Sequence, residues 1–297
     1  MSRTRPLLLE SGAKKVSTSE GVWHPQHRRL TLGLVLLTIG PAFEALAVAT
    51  ILPRIVANLG GLRFYGWSFS AYMLATIVSL ILAGDEADRN GPARPFIVGV
   101  SLFVLGLVLA GTASSMLTFI LSRGVQGLGA GIIASVAYVC LGRGYPEQVK
   151  PRMIAVIASA WVVPGLIGPV LAGIIADFVG WRWVFLGLIP VLPLATFLIL
   201  PSLQKLAPSI PSGRLNLQRL LAAVGLVIGA GMTLAGLQIQ PVPLAIVVTL
   251  SGLAVGIPSL HRILPGGTLK AKAGLPAAIA AMVSSVWASL VQMLFFH

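Results

Sequence analysis

Two oppositely charged residues stand inside apolar runs of this chain, Glu44 in LTIGPAFEALAVAT and Arg123 in FILSRGVQGLGAGIIA. Counted at 1.5 Å per residue from the ends of their runs on one side, Glu44 lies about 12 Å and Arg123 about 10 Å below the same surface. A charge facing lipid is costly, so both are expected to face a common interior. Burial and a neighbouring guanidinium pull a carboxylate's proton affinity in opposite directions. That competition suits a group that takes up and releases a proton. A static pair that merely locks two helices together accounts for the same residues.

A second set of residues has turn and latch chemistry. Between Gly84 and Pro95 the chain reads GDEADRNGPARP, in which Gly91 and Pro92 set a turn. Asp88 can cap a helix start there or pair with Arg94. Gly84, Ala87, Asp88 and Gly91 recur as Gly173, Ala176, Asp177 and Gly180, the pattern G-x-x-A-D-x-x-G. The first copy ends the second apolar run and the second copy ends the fifth. An inverted repeat of three helices plus three leaves that trace.

The apolar runs themselves also carry packing signals. Gly127 and Gly131, after Arg123, form a small-xxx-small face for close helix contact. Pro164, Gly165, Gly168 and Pro169 interrupt the fifth run and are expected to kink it. Tyr65, Trp67, Tyr72, Trp181 and Trp183 flank run ends, where interfacial anchoring accounts for them. Tyr72 and Trp161 lie far enough inside to reach a substrate. Cys140, the single cysteine, reads as a small packing residue.

The elements that must position these groups are membrane spans. Charged residues make up 10% of the 297 residues and mean hydropathy is +0.93, which excludes an ordinary soluble domain. Runs near 30–52, 68–84, 95–114, 116–141, 152–176, 183–200, 219–239, 242–260 and 275–296 each have spanning length. The polar tail 1–29 is too long and hydrophilic to begin a cleaved signal, so the first run stays as a helix. Of the 21 Lys and Arg, 17 fall on one side of the alternating spans and three (Arg54, Arg63, Arg182) on the other. That asymmetry places the amino terminus in the cytoplasm and explains the +13 formal charge without nucleic acid. No paired carboxylates, nucleophile–base set or metal-ligand cluster lies in the spans, so no enzyme, cofactor or metal is expected.

Taken in order, these motifs resemble the amino-terminal part of a major facilitator superfamily transporter, closest to the fourteen-helix drug:proton antiporters. Gly84, Asp88, Arg89, Gly91 and Arg94 are similar to the family's loop 2–3 signature. Asp85, Glu86 and Ala93 depart from it and weaken its charge latch. Arg123, Gln126, Gly127 and Gly129 are similar to the helix 4 signature, and Pro164, Gly165, Gly168, Pro169 and Gly173 to that of helix 5. Glu44, nine residues before Pro53, resembles the helix 1 acid-to-proline motif, with glutamate for the commoner aspartate.

The resemblance implies an all-α integral membrane fold: a cytoplasmic tail 1–29, a six-helix bundle over 30–200 with a 3+3 inverted repeat, and a link 201–218. Two linker helices would follow over 219–260, then a link and a partial ninth helix over 261–297, the start of an incomplete second bundle. It implies proton-coupled efflux of small amphipathic or cationic compounds from the cell by alternating access across the plasma membrane. Glu44, Arg123 and Gln126 would line the proton and substrate cavity. Asp88, Arg89 and Arg94 would latch the cytoplasmic side, and helix 5 would shape the gate. The expected partners are the bilayer, protons, a small-molecule substrate, and the missing second half or another copy. The competing reading is a fragment that does not transport, or a helical interaction partner of a full-length relative.

Overall fold

The computed structural model describes residues 21–25, 27–206, 217–236 and 242–263. Its elements are α1 (Arg28–Leu59), α2 (Tyr65–Asn90), α3 (Ala93–Gly111), α4 (Met116–Arg143) and α5 (Lys150–Phe178). They are followed by α6 (Arg182–Leu186), α7 (Val191–Leu203), α8 (Leu217–Gly236) and α9 (Val242–Ile263). Among the described residues, seven segments are long and apolar enough to cross a bilayer: α1 to α5, the α6–α7 pair and most of α9. The expected ninth span at 275–296 and the tail up to residue 20 lie outside the described residues.

The sixth span and the turn after the second differ from the sequence expectation. The sixth span is not one helix: α6 ends at Leu186 and α7 begins at Val191, with turns over 187–190. Pro190 lacks the N–H that would continue the ladder, which gives a physical reason for the break. By contrast, α5 runs without interruption past Pro164 and Pro169, and α1 past Pro41 and Pro53. The turn expected over Gly84–Pro95 contracts to Gly91 and Pro92, because α2 continues through Asn90. Gly91, at φ +82°, supplies the left-handed residue that ends it.

Packing exchanges helices between two groups of three spans. Helix α4 sits between α2 and α3, while α1 sits between α5 and α7. Glycines set these distances. A Cβ on Gly129 of α4 would lie 2.6 Å from the Gly99 carbonyl oxygen of α3, and one on Gly33 would lie 2.6 Å from Ile199 Cβ of α7. On the other side of α4, a Cβ on Gly127 would lie 2.9 Å from Ala75 Cβ of α2, and Thr76 donates to the Gly127 carbonyl at 3.2 Å. Such close approach lets dispersion and weak polar contacts act where lipid removes the hydrophobic drive for helix association. Helices α8 and α9 pair through Gly229, Gly252 and Gly256, and α8 leans on α2 where Gly231 faces Leu74.

Candidate functional site

The centre of the bundle is polar. Glu44 of α1 and Arg123, Gln126 and Ser122 of α4 are buried, as is Ser68 of α2; Arg123 is the largest fully buried side chain among the described residues. Arg123 donates from Nη1 to Glu44 Oε1, forming an ion pair, and from the same nitrogen to Gln126 Oε1 at 2.7 Å. Its Nε donates to the Ser68 carbonyl at 3.4 Å, and its guanidinium lies over the Tyr72 ring, 4.3 Å from the centroid. Three helices thus hold one cation: a carboxylate from α1, an amide from α4 itself, a carbonyl and a ring face from α2. Isolated in lipid, either charge would carry a large desolvation cost; paired and hydrogen-bonded, the two offset much of it.

The local fold explains this convergence. Gly127 and Gly131 bring α4 against α2, which carries Ser68 and Tyr72 to the guanidinium. Gln126 stands one turn from Arg123 on the same face. Gly106 of α3 faces Gln126, so no side chain from α3 separates it from α4. On the other flank, α5 meets α1 along Ala160, Pro164, Gly168 and Ala172, a buried stripe of small residues spaced by four. A Cβ on Gly168 would lie 3.6 Å from Phe43 Cδ2, next to Glu44.

Not all polar capacity in the cluster is used. Among the described residues, Glu44 Oε2, Gln126 Nε2 and Ser68 Oγ are buried without a hydrogen-bond partner. They offer one carboxylate acceptor, one amide donor and one hydroxyl around a single fixed cation.

The other expected site residues separate into groups. Asp88 caps no helix start, because it lies in the last turns of α2; it accepts an ion-paired hydrogen bond from Arg143, at the end of α4. Arg89 pairs with Asp85 at 3.2 Å, one turn back on the same helix. Arg94 is exposed in the first turn of α3, and Gly84 approaches Ser135 of α4. Within α5, Pro164 and Gly168 are buried, whereas Gly165 and Gly173 have nothing within 4 Å of a built Cβ; Gly173 meets α1 through its carbonyl, which accepts from Arg54 at 3.2 Å.

Two aromatic residues are not interfacial anchors. Tyr72 is buried against Arg123, and Trp181 is buried in an edge-on cluster with Phe119 and Phe185. Trp183, half exposed, keeps the position of an anchor; Trp161 is half exposed on α5, and Cys140 is buried. Ser68, Arg143 and the tie of Arg54 to Asp177 at 2.8 Å were not singled out by sequence reasoning. The only sequence signal for Arg54 and Arg143 is their common spacing from the repeated aspartates.

Residues 32–216 match the sequence model described as Major Facilitator Superfamily. The chain is 30% identical over 171 residues to Multidrug resistance protein 3 of Bacillus subtilis (strain 168), covering 58% of this chain and 33% of that protein. It is 31% identical over 175 residues to Multidrug transporter protein MdtP of the same organism, covering 59% and 32%. The crystal structure of a D-xylose-proton symporter superposes with a TM-score of 0.53 at 15% identity, over 80% of this chain and 65% of that one. That of the human organic anion transporter MFSD10 (TETRAN) gives 0.52 at 16%, over 83% and 75%. At these identities the likeness to the solved structures is one of fold. The chain spans about a third of the length of the curated relatives it matches.

Proposed function

This chain belongs to the major facilitator superfamily, and from that premise we propose that its bundle is the proton-carrying wall of an efflux transporter. The substrates are small amphipathic or cationic compounds, exchanged for protons by alternating access. The observation that carries the reading is the buried set of Glu44, Arg123 and Gln126 at the middle of three packed helices. Glu44 Oε2 has no partner among the described residues and is the oxygen that takes the proton. Protonation cancels the charge that holds a cation, so proton binding and cation binding oppose each other at one carboxyl. Arg123 tunes the affinity of that carboxyl, and Gln126 keeps the guanidinium in place.

The remaining motifs take positions around this core. Asp88, Arg89 and Arg94 latch the cytoplasmic ends, with Arg143 as the partner of Asp88. The small-residue stripe of α5 lets that helix shift along α1. In this reading residues 30–200 form the amino-terminal bundle, 201–218 a cytoplasmic link, 219–260 two linker helices of a fourteen-helix transporter, and 261–297 the approach to a second bundle. The amino terminus faces the cytoplasm and the membrane is the plasma membrane. Transport requires both bundles, so the partner is a second half or another copy.

The test is proton release from the purified protein when tetraphenylphosphonium is added in weakly buffered detergent solution. Release is expected from the parent and not from Glu44→Gln. No release from the parent, alone or co-expressed with the remaining helices of a longer relative, sinks the reading. A second reading, a helical partner that does not transport, draws on the apolar face of α5, where Leu166 is 74% and Val170 61% exposed. It predicts stable association with a full-length relative and no proton release in either preparation.

A further inference from the structure

Two ion pairs at the ends of the bundle are related by one shift along the sequence. Arg143 stands 89 positions after Arg54, and Asp177 stands 89 positions after Asp88. Arg54 belongs to the end of α1 and pairs with Asp177 at the end of α5. Arg143 belongs to the end of α4 and pairs with Asp88 at the end of α2. Each three-span repeat therefore supplies one arginine and one aspartate, and each pair joins the two repeats. The glycines three residues after each aspartate, Gly91 and Gly180, both have positive φ, +82° and +105°. Sequence, backbone and contact agree that the same joint is built twice.

We propose that Arg54 and Asp177 are positioning residues: they form the counterpart, on the opposite face, of the Asp88–Arg143 latch and hold the α5 gate segment on the Glu44 helix. Their geometry fits that task. Arg54 reaches α5 with two nitrogens, Nη2 to Asp177 Oδ1 at 2.8 Å and Nη1 to the Gly173 carbonyl oxygen at 3.2 Å. One guanidinium thus ties together two residues a turn apart, near a helix end that favours a cation. The tie matters because, from Ala160 to Phe178, the buried residues of α5 are Ala160, Pro164, Gly168 and Ala172, which offer little side-chain grip. Gly165 and Gly173 add none. Both partners are half exposed, so the pair contributes little to global stability, and its effect is local.

The proposal shares the gate with the reading above but does not depend on Glu44 carrying a proton. The test needs neither substrate nor transport: amide hydrogen exchange of the full chain in detergent, read over residues 165–178. Arg54→Gln and Asp177→Asn are each expected to raise exchange there about threefold, with no further rise in the double variant. The swap Arg54→Asp with Asp177→Arg is expected to restore protection, which loss of packing alone would not allow. Asp88→Asn and Arg143→Gln are expected to do the same to the last turns of α2 and leave 165–178 unchanged. Arg63→Gln, a nearby exposed arginine outside the pair, serves as the control. Unchanged exchange in both single variants, failure of the swap to restore protection, or an equal rise in the Arg63 control overturns the proposal. Loss of proton release in an otherwise intact exchange pattern would instead fault the Glu44 reading.

Discussion

The Arg123 guanidinium and the Glu44 carboxylate meet at the centre of the bundle with neither exposed: Glu44 is 0% and Arg123 1% accessible. The pair ties α1 to α4, the two helices that are each enclosed by helices of the other half. Its geometry makes removal of one partner more damaging than removal of both.

Glu44→Ala leaves a guanidinium with no countercharge in an apolar interior, and a loss of about 3–5 kcal/mol in stability is expected. Glu44→Leu combined with Arg123→Met is expected to recover most of that loss while abolishing proton release. Denaturant unfolding in detergent measures the first effect and the pH electrode the second. A Glu44→Ala protein that unfolds like the parent contradicts the account.

Tyr72 holds Arg123 through its ring face at 4.3 Å, and among the described residues no hydrogen bond from its hydroxyl enters the cluster. Tyr72→Phe is therefore expected to be close to neutral. Tyr72→Leu is expected to lose about 2 kcal/mol, the scale of a desolvated cation–π contact. Equal losses in the two variants would show that the hydroxyl, not the ring, carries the contact.

Helix α4 is clamped by glycine contact. A methyl at Gly129 would come within 2.7 Å of Phe103 Cα, so Gly129→Ala is expected to cost about 1–3 kcal/mol through forced separation of α3 and α4. Gly124 has nothing within 4 Å of a built Cβ. Gly124→Ala is expected to stabilise by up to about 1 kcal/mol from helix propensity. Thermal unfolding of the two variants side by side decides the matter, and the opposite ranking would refute the packing.

Alkaline stability carries a further signature outside the spans. Tyr145, in the turn between α4 and α5, shares a hydrogen bond with Thr31 at 3.0 Å and stacks near His27. Burial pushes its hydroxyl from 10.0 up to about 12, with the Thr31 hydrogen bond acting in the opposite direction. The folded protein therefore keeps this proton where the unfolded chain gives it up. Its stabilising contribution is full below pH 10 and is lost as pH rises from 10 through 12. Tyr145→Phe is expected to flatten that part of the pH–stability curve. An unchanged alkaline limb in the variant rules out Tyr145 as its source.

Much of this molecule is written in local composition. Runs such as 95–114 and 116–141 contain too few polar atoms to remain in water, so spans follow from length and hydropathy. The rarity of charge inside those runs marked Glu44 and Arg123, because an unpaired ion in lipid has no cheap position. The repeat of Gly84, Ala87, Asp88 and Gly91 at Gly173, Ala176, Asp177 and Gly180 was also readable as a pattern. What periodicity cannot carry is which helix lies beside which. Asp88 looked outward to Arg94, six positions on and just beyond the break, whereas its partner Arg143 comes from another helix 55 positions away. The turn chemistry of GDEADRNGPARP suggested a longer loop than exists, because the ends of α2 are stabilised by contacts with α4 that no local rule includes.

Composition and spacing thus determined an all-helical membrane chain with one buried acid and one buried base. Both are consequences of the solvent each residue can tolerate, a property it carries wherever it sits. Tertiary structure decided that Tyr72 and Ser68 cradle Arg123. It also decided that Trp181 is core rather than anchor, and that Arg54 of α1 reaches Asp177 on the neighbouring α5. These are relations between segments far apart in the chain, fixed by how closely glycine-bearing helices approach, and distance in space is not encoded in distance along the sequence.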